Sequence, residues 1–265
     1  MNISAETVLE YMIAAERAAA EIMLSARGVA TENKTSSRDI ITEFDRRVQQ
    51  LLVERLSAAM PDAAFFCEES QHRDSTGAEH VFIIDPIDGT MNFSRHMNSS
   101  CISIAYMSRG TLTAAAVYNP YVDELYTAVK GKGARLNGSP IHVDDAPLKE
   151  TLFCLGSSPY DHKLTDETFR LARLAFDESL DLRRFASAEL DFCYVAAGRA
   201  GLYFELSTFL WDFAAGSLIV EEAGGICSDI NGDPLPLDGR KSSVLAGGRQ
   251  AYADFLKIIR NKEEQ

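Results

Sequence analysis

One stretch, residues 81–93, restricts the fold of this chain more than any other. Its first four residues are apolar and of β-forming type, and Asp85, Pro86 and Asp88 follow directly. Such a run predicts a buried strand that ends where polar chemistry begins. We expect Pro86 to end the strand, because proline lacks a backbone donor and fixes its own φ. Asp85 then lies at the carboxyl end of the strand, with Asp88 one short turn later.

Two carboxylates this close in the chain repel each other unless a positive charge lies between them. Asp85 and Asp88 therefore indicate a hard divalent cation, for which oxygen atoms are suitable ligands. Gly89 comes next, and a glycine lets the backbone approach a ligand closely. The amides after it could bind an anion if a helix begins there. The stretch thus predicts a metal that holds a phosphate.

The composition narrows the class of protein. The 265 residues suffice for one large or two small domains, and 46% hydrophobic and 25% charged residues are ordinary for a soluble protein. The net charge of −13 argues against nucleic acid or an anionic membrane as a main partner. The five cysteines are scattered and form no C-x-x-C pair, which favours a reducing cytoplasm. Because the sequence shows no export signal and no long apolar run, we expect a soluble cytoplasmic protein.

Residues 1–145 are predicted to form an N-terminal half with helices and an antiparallel sheet. The polar segment 32–38 has no hydrophobic anchor, so it is predicted to be a solvated loop or a mobile lid that carries Lys34 to a phosphate. Thr42 and Asp45 resemble a capping box, which would give Asp45 a purely structural role at a helix start. We expect helices at about 5–26 and 43–60, strands at about 63–67 and 80–85, and an antiparallel meander at about 101–129.

Residues 146–265 are predicted to form a C-terminal half in which strands alternate with helices, as in an α/β layer. Asp212 follows the single tryptophan and precedes a run of small residues, which would let that helix pack closely on another element. We expect strands at about 152–155, 181–185, 202–205, 226–230 and 244–246, and helices at about 165–177, 188–198, 211–223 and 249–260.

Acidic residues recur at strand ends and helix starts along the chain. Any one of them alone is more simply a helix cap or a surface acid. Together they predict one shared acidic site, and the five histidines show no ligand spacing that would suggest another. The acids concerned are Glu68, Asp85, Asp88, Asp212 and Asp45, of which Asp45 also belongs to the capping box that begins at Thr42.

Two segments resemble the signatures of the inositol monophosphatase family. Residues 85–93 resemble the first signature, and residues 211–225 resemble the second, in the right order and about 120 residues further on. Shorter matches at 34–36, 42–45, 68–70, 155–158 and 203–205 extend the resemblance over nearly the whole chain. It implies a layered αβαβα sandwich, Mg²⁺-dependent phosphomonoester hydrolysis, inhibition by lithium and a homodimer.

The resemblance also implies ligands for two or three Mg²⁺ ions. Glu68, Asp85 and the carbonyl of Ile87 match the ligands of a first metal. Asp85, Asp88 and Asp212 match the ligands of a second metal, so Asp85 would bridge the two.

The remaining matched positions concern the phosphate, the water and the alcohol part of the substrate. Gly89 and Thr90 match amides that hold the phosphate, and Thr90 with Asp45 matches the pair that orients the attacking water, with Glu68 nearby. Lys34 matches a basic residue on a mobile loop. The positions that match substrate contacts are Ser157, Ala188 and Glu205, together with Asp88 and Asp212.

The chain departs from the common family pattern beside the presumed substrate pocket. Ala186 stands where many members have glycine, and Glu189 stands where a small residue is usual. Glu189 is expected either to face solvent or to place a carboxylate in the pocket, where it would favour a polyol or a cationic substrate.

The leading hypothesis is a Mg²⁺-dependent phosphatase for inositol monophosphate or a related polyol or sugar phosphate. Three substrates of enzymes with the same fold are alternatives: 3′-phosphoadenosine 5′-phosphate, fructose 1,6-bisphosphate and histidinol phosphate. A different class is a non-catalytic binder of phosphorylated ligands, which would keep the fold and lose a metal ligand or the water-orienting pair.

Overall fold

A computed structural model describes residues 3–36, 39–69 and 76–263 of the chain. The α-helices in these ranges are α1 (Ala5–Leu24), α2 (Glu43–Ala59), α3 (Thr90–Ser94), α4 (Thr165–Asp177), α5 (Ala188–Ala196), α6 (Ala214–Glu222) and α7 (Arg249–Glu263). The first strands are β1 (Thr31–Ser36), β2 (Asp39–Thr42), β3 (Ala64–Cys67), β4 (His80–Asp88), β5 (Cys101–Ser108), β6 (Thr111–Asn119) and β7 (Glu124–Val129). They are followed by β8 (Ala134–Leu136), β9 (Ser139–Ile141), β10 (Leu152–Leu155), β11 (Asp181–Arg183), β12 (Leu202–Thr208), β13 (Ile226–Ser228) and β14 (Ser242–Gly247).

The first large sheet has seven strands in the order β3 to β9. β3 and β4 are parallel, and every later neighbour is antiparallel, which confirms the predicted meander. α1 and α2 cover one face of this sheet with an apolar cluster that includes Met12, Leu52 and Ile104. Ser4 caps α1, because its hydroxyl accepts the amide hydrogen of Thr7 at 3.2 Å.

The second large sheet has five strands in the order β11-β10-β12-β14-β13. β10 runs parallel to both β11 and β12, whereas β14 runs antiparallel to β12 and β13. α4 and α7 contribute to the apolar cluster on one face of this sheet. α5 and α6 contribute to the cluster that joins its other face to the seven-stranded sheet. The layers are therefore helix, sheet, helix, sheet and helix, as the resemblance implied.

In the central helix layer, α5 and α6 approach each other closely at a glycine. A Cβ added at Gly216 of α6 would lie 2.4 Å from the Cβ of Phe192 on α5. The two helices therefore pack closely, as the small residues after Asp212 had predicted. The predicted boundary between residues 145 and 146 falls between β9 and β10. Two separate domains remain a prediction, and the central apolar cluster contains residues of both halves.

Two sequence predictions about local structure are wrong. Pro86 does not end β4, which continues to Asp88. A register shift between Asp85 and Asp88 interrupts the pairing with β5, and such a bulge accommodates a proline that cannot donate to the ladder. The polar segment 32–38 is not a loop over its described part, because β1 pairs with β2 in an antiparallel hairpin. Ser37 and Arg38 lie outside the described residues, as does Ser70.

Smaller differences concern element ends. α1 ends at Leu24, β11 stops at Arg183, and β13 covers only Ile226–Ser228. The helix predicted to begin at residue 211 is a 3₁₀ turn, Leu210–Asp212, followed by α6. In the part of the chain that the structure describes, no helix is both long enough and apolar enough to cross a membrane.

Candidate active site

The four acids predicted to bind metal face one cavity. This cavity has a volume of about 410 Å³ and lies where the carboxyl ends of β3 and β4 meet the start of α6. Because β3 and β4 are parallel neighbours, the residues that end them lie at the same edge of the sheet. Asp212 reaches the cavity from the 3₁₀ turn before α6, where its Oδ2 accepts the amide hydrogen of Phe209 at 2.6 Å. The four acids are Glu68, Asp85, Asp88 and Asp212.

The carboxylates of this cavity are buried and repel one another. Asp85 is only 3% exposed, and burial followed by the charges of Glu68, Asp88 and Asp212 raises its pKa well above the usual range. Burial and then the charge of Glu68 also raise the pKa of Asp212. Within residues 3–36, 39–69 and 76–263, no three acidic, histidine or cysteine side chains are arranged closely enough to enclose an ion. The oxygen donors nevertheless fit Mg²⁺, because a divalent cation would relieve the repulsion that raises these pKa values.

Asp88 is fixed by hydrogen bonds from the start of α5. Its Oδ2 accepts the hydroxyl of Ser187 at 2.6 Å and the amide hydrogen of Glu189 at 2.8 Å. Its Oδ1 accepts the amide hydrogen of Ala188 at 3.2 Å. Burial raises the pKa of Asp88 to about 6, and these hydrogen bonds oppose the increase. Asp88 therefore links β4 of the first sheet to the central helix layer.

Asp45 combines the two roles that the sequence left open. Its Oδ2 accepts the amide hydrogen of Thr42 at 2.8 Å and the Thr42 hydroxyl at 2.5 Å, which completes the capping box of α2. Its Oδ1 lies 3.2 Å from the hydroxyl oxygen of Thr90, which also lies 3.1 Å from the carbonyl oxygen of Ile87. Burial, as the largest cause, raises the pKa of Asp45 to about 6. The cap thus orients a carboxylate toward the cavity-lining Thr90.

Gly89 occupies a position that other residues could not easily take. Its φ of +83° lies in the left-handed region. An added Cβ would lie 3.0 Å from the carbonyl oxygen of Ser99 and 3.1 Å from that of Ala186. Gly89, Thr90 and Ile87 all line the cavity. The backbone therefore comes within reach of a ligand at the point that the sequence predicted.

Lys34 lies at the acidic edge of the site. The β1–β2 hairpin places its Nζ 2.8 Å from Oε1 of Glu68, and it also forms an ion pair with Glu69. Burial opposes the charged form of Lys34, but the two glutamates outweigh it and raise the pKa of the amine. The ammonium group is thus close to a predicted metal ligand, on a strand rather than on the predicted loop.

The positions predicted to contact the alcohol part of the substrate are partly brought together. Ala188 and Glu205 line the cavity, and so does Ser158. The amide of Ser158 donates to Oε1 of Glu205 at 2.7 Å. The hydroxyl of Ser157 instead accepts two hydrogen bonds from the guanidinium of Arg184, at 3.1 and 2.8 Å. A direct substrate contact for Ser157 therefore stays a prediction.

Sequence reasoning missed several residues that line the cavity. Asp191 is nearly fully buried, and burial raises its pKa well above the usual range. It lies three residues after Ala188 on α5, so helical spacing from that predicted contact was the signal that could have found it. Arg184 and Lys241 also line the cavity. Each directly follows an arginine in the sequence, and no motif around either residue predicts that it belongs to a site.

The two departures from the family pattern have physical explanations. Ala186 has a φ of +62°, so this non-glycine residue adopts the left-handed conformation that glycine favours. Both expectations for Glu189 are wrong, because its side chain is 0% exposed and is not part of the cavity wall. Burial, and then the charge of Asp88, raises the pKa of Glu189 to about 8.

The chain is similar to known proteins in sequence and in fold. The model of the inositol monophosphatase family matches residues 4–264. The Nus factor SuhB of Escherichia coli strain K12 is 37% identical over 221 residues, which cover 82% of this chain and 81% of that protein. The crystal structure of the extragenic suppressor protein suhB from Bartonella henselae is 30% identical with a TM-score of 0.89, covering 96% of this chain and 98% of that one. An IMPase structure from Thermotoga maritima is 29% identical with a TM-score of 0.87, covering 97% and 98%.

Proposed function

The chain belongs to the inositol monophosphatase family, and on that premise we propose that it hydrolyses a small phosphate monoester with the help of Mg²⁺. Inositol monophosphate or a related polyol or sugar phosphate is the first candidate substrate. One observation carries the proposal: four carboxylates face a single cavity beside the Asp45–Thr90 pair. An acidic cavity would repel a phosphate dianion unless cations were bound there.

The metal ligands follow from the resemblance and the positions of the side chains. Glu68, Asp85 and the Ile87 carbonyl would hold one Mg²⁺, and Asp85, Asp88 and Asp212 would hold another, in a site for two or three ions. When bound, these ions neutralise the phosphate, polarise its phosphorus–oxygen bonds and lower the pKa of a coordinated water.

The chain itself supplies orientation and proton handling. Thr90 lines the cavity with its hydroxyl hydrogen directed toward Asp45 or the Ile87 carbonyl, so its oxygen is free to accept a hydrogen bond from an attacking water. Asp45 holds that hydroxyl in place and would accept its proton as the Thr90 oxygen takes one from the attacking water. Glu68 lies at the same edge and would assist. The backbone at Gly89 and Thr90 would hold the phosphate in line with the water.

On the substrate side, Ala188 and Glu205 line the cavity, and Ser157 accepts a hydrogen bond from the cavity-lining Arg184. A carboxylate such as Glu205 accepts hydrogen bonds from hydroxyl groups, which suits a polyol. Together with Asp88 and Asp212, these positions would select the alcohol. Phosphatases for 3′-phosphoadenosine 5′-phosphate, fructose 1,6-bisphosphate or histidinol phosphate are alternatives with the same catalytic groups. We further propose a cytoplasmic homodimer that lithium inhibits.

A substrate panel with phosphate release as the readout tests the proposal. The folded protein is expected to release phosphate from inositol 1-phosphate or another member of the panel with Mg²⁺, and lithium is expected to slow the reaction. The panel should include the three alternatives above, so that their relative kcat/KM values identify the substrate class. Failure of the folded protein to hydrolyse any of these phosphomonoesters with Mg²⁺ would refute the phosphatase proposal.

A purely non-catalytic binder of phosphorylated ligands is less well supported. Such a protein would be expected to lose a metal ligand or the water-orienting pair, whereas this chain keeps a side chain of the required type at each matched position.

The name of one relative favours a second candidate function. SuhB of Escherichia coli is called a Nus factor and is 37% identical to this chain, so a Nus-factor role is proposed beside the phosphatase role. The two roles are separable by experiment, because only turnover requires the carboxylates that line the cavity. In a bacterial strain that lacks its SuhB, an Asp88→Asn variant that complements as well as the parent protein would show that the Nus-factor role does not need turnover. Failure of the unsubstituted protein to complement this strain would refute the Nus-factor role.

A further inference from the structure

Glu189 bonds to one proposed metal ligand, Asp88, and to the helix α6, which begins two residues after another proposed ligand, Asp212. It lies in the first turn of α5, and its side chain is completely buried. Its backbone amide donates to Oδ2 of Asp88 at 2.8 Å. Its side-chain Oε2 accepts the amide hydrogen of Gly216 at 2.6 Å. One residue therefore bonds to β4 through its backbone and to α6 through its carboxylate.

The carboxylate acts as a cap for α6 that comes from outside the helix. Phe213, at the N-cap position of α6, makes no side-chain capping bond. The first amides of a helix have no partner within it, so an oxygen that accepts a hydrogen bond there is favourable. Gly216 lies in this first turn, where an added Cβ would be only 2.7 Å from Oε2 of Glu189. The glycine is thus what allows the carboxylate to approach the helix start.

A residue needed only for packing would not have to be polar here. Oε1 of Glu189 has no hydrogen-bond partner among the described residues, and a buried polar group with incomplete bonding is costly. An apolar side chain of the same size would avoid this cost. The carboxyl group is therefore best explained by what its bonded oxygen does at the start of α6.

Asp212 ends the 3₁₀ turn just before α6, so a displacement of the helix start would be transmitted to it through the chain. We propose that Glu189 is a positioning residue, which holds Asp88 and Asp212 at the separation that the second metal requires. This inference rests on the proposed function, since it assigns a role to Glu189 in the same metal site. It extends that function by identifying the residue that connects the Asp88 side of the metal site to its Asp212 side.

Substitutions of similar size separate this role from packing. Glu189→Met fills the same space without an acceptor, whereas Glu189→Gln keeps an oxygen that can accept the Gly216 amide hydrogen. The matched control is Glu16→Met, because Glu16 is also a completely buried glutamate but lies on α1 across the seven-stranded sheet. Mn²⁺ serves as the probe, with free ion measured by electron paramagnetic resonance on the full chain without substrate.

The Glu189→Met variant is expected to bind Mn²⁺ at least about tenfold more weakly than the parent, because loss of a group that orients metal ligands typically has this effect. Glu189→Gln should stay within about threefold of the parent, and Glu16→Met should be unchanged. If Glu189→Met does not give a native circular dichroism spectrum, Glu189→Asp replaces it. The aspartate keeps the charge but is one carbon too short, so it should also weaken binding.

Two results would overturn the inference, and they differ from failure of the proposed function. Parent-like Mn²⁺ binding by folded Glu189→Met, or by its Asp substitute, would show that the carboxylate does not position the ligands. Equal weakening by Gln and Met would show that the hydrogen bond to Gly216 is not what matters. A parent protein that binds no Mn²⁺ would instead refute the metal site itself, and the proposal for Glu189 with it.

Discussion

Glu16 on α1 should make the protein less stable as the pH rises. Its side chain is completely buried, and neither carboxylate oxygen has a hydrogen-bond partner in the described part of the chain. Burial, and then the charge of Glu189, raises the pKa of Glu16 well above its ordinary value of 4.5. The perturbation we propose is Glu16→Gln, which keeps the size of the side chain and removes its ionisation.

The sign and size of the change in unfolding free energy follow from the difference in bound protons between the folded and unfolded states. Above pH 4.5 the unfolded chain loses the Glu16 proton, but the folded protein keeps it until the pH reaches the raised pKa. Folding is therefore disfavoured by about 1.4 kcal/mol for each pH unit in this window. Between pH 5 and 7 the parent should lose up to about 2.8 kcal/mol relative to Glu16→Gln. This corresponds to roughly 6 °C in Tm for a chain of this length.

The assay is thermal unfolding of the parent and Glu16→Gln at half-unit steps from pH 5 to 8. The Tm of the variant should exceed that of the parent by an amount that grows with pH. Glu10→Gln is the control, because Glu10 lies on the exposed side of the same helix. A Tm difference between parent and Glu16→Gln that stays constant over this range would refute the reasoning.

Three further substitutions test the site and its backbone. Thr90→Ala should lower kcat at least about 100-fold with little change in KM, because it removes the hydroxyl bonded to Asp45, while Thr90→Ser should recover most of the rate. Equal kcat values for the Ala and Ser variants would contradict this role. Ala186→Gly should stabilise the fold by about 0.5 to 1 kcal/mol in urea unfolding, because the residue has a φ of +62°; a loss of stability would contradict it. Gly156→Ala should raise KM, because the new Cβ would lie 2.0 Å from Oε2 of Glu205 and must displace that side chain; an unchanged KM would remove Glu205 from substrate binding.

The elements that carry the acids were predictable because strong local signals specify them, whereas the five layers were implied by the family resemblance. The apolar run before Asp85 and the small residues after Asp212 each specify an element through burial and packing. The capping box at Thr42 is confirmed with Asp45 in it. These signals depend on residues that lie close together in the sequence, which is why a single chain was enough to read them.

What the sequence could not predict depends on contacts between distant segments. Pro86 remains in a strand because β5 tolerates a bulge opposite it. The polar segment that carries Lys34 is a strand because β2 pairs with it and Glu68 attracts its ammonium group. Glu189 is buried because the start of α6 offers it an amide from 27 residues away. In each case a tertiary partner outweighs the local preference.

The most direct test of the central claim is phosphate release by the parent and by Asp88→Asn, each with Mg²⁺ and with a chelator. Asp88 faces the cavity and is bonded to Ser187 and Glu189, so the variant should remain folded by circular dichroism while it loses a metal ligand. We predict that the parent hydrolyses a phosphomonoester only with Mg²⁺ and that Asp88→Asn is slower by about 100-fold or more, since metal stabilisation of the transition state is worth several kcal/mol. Hydrolysis that neither the chelator nor Asp88→Asn reduces would contradict the account.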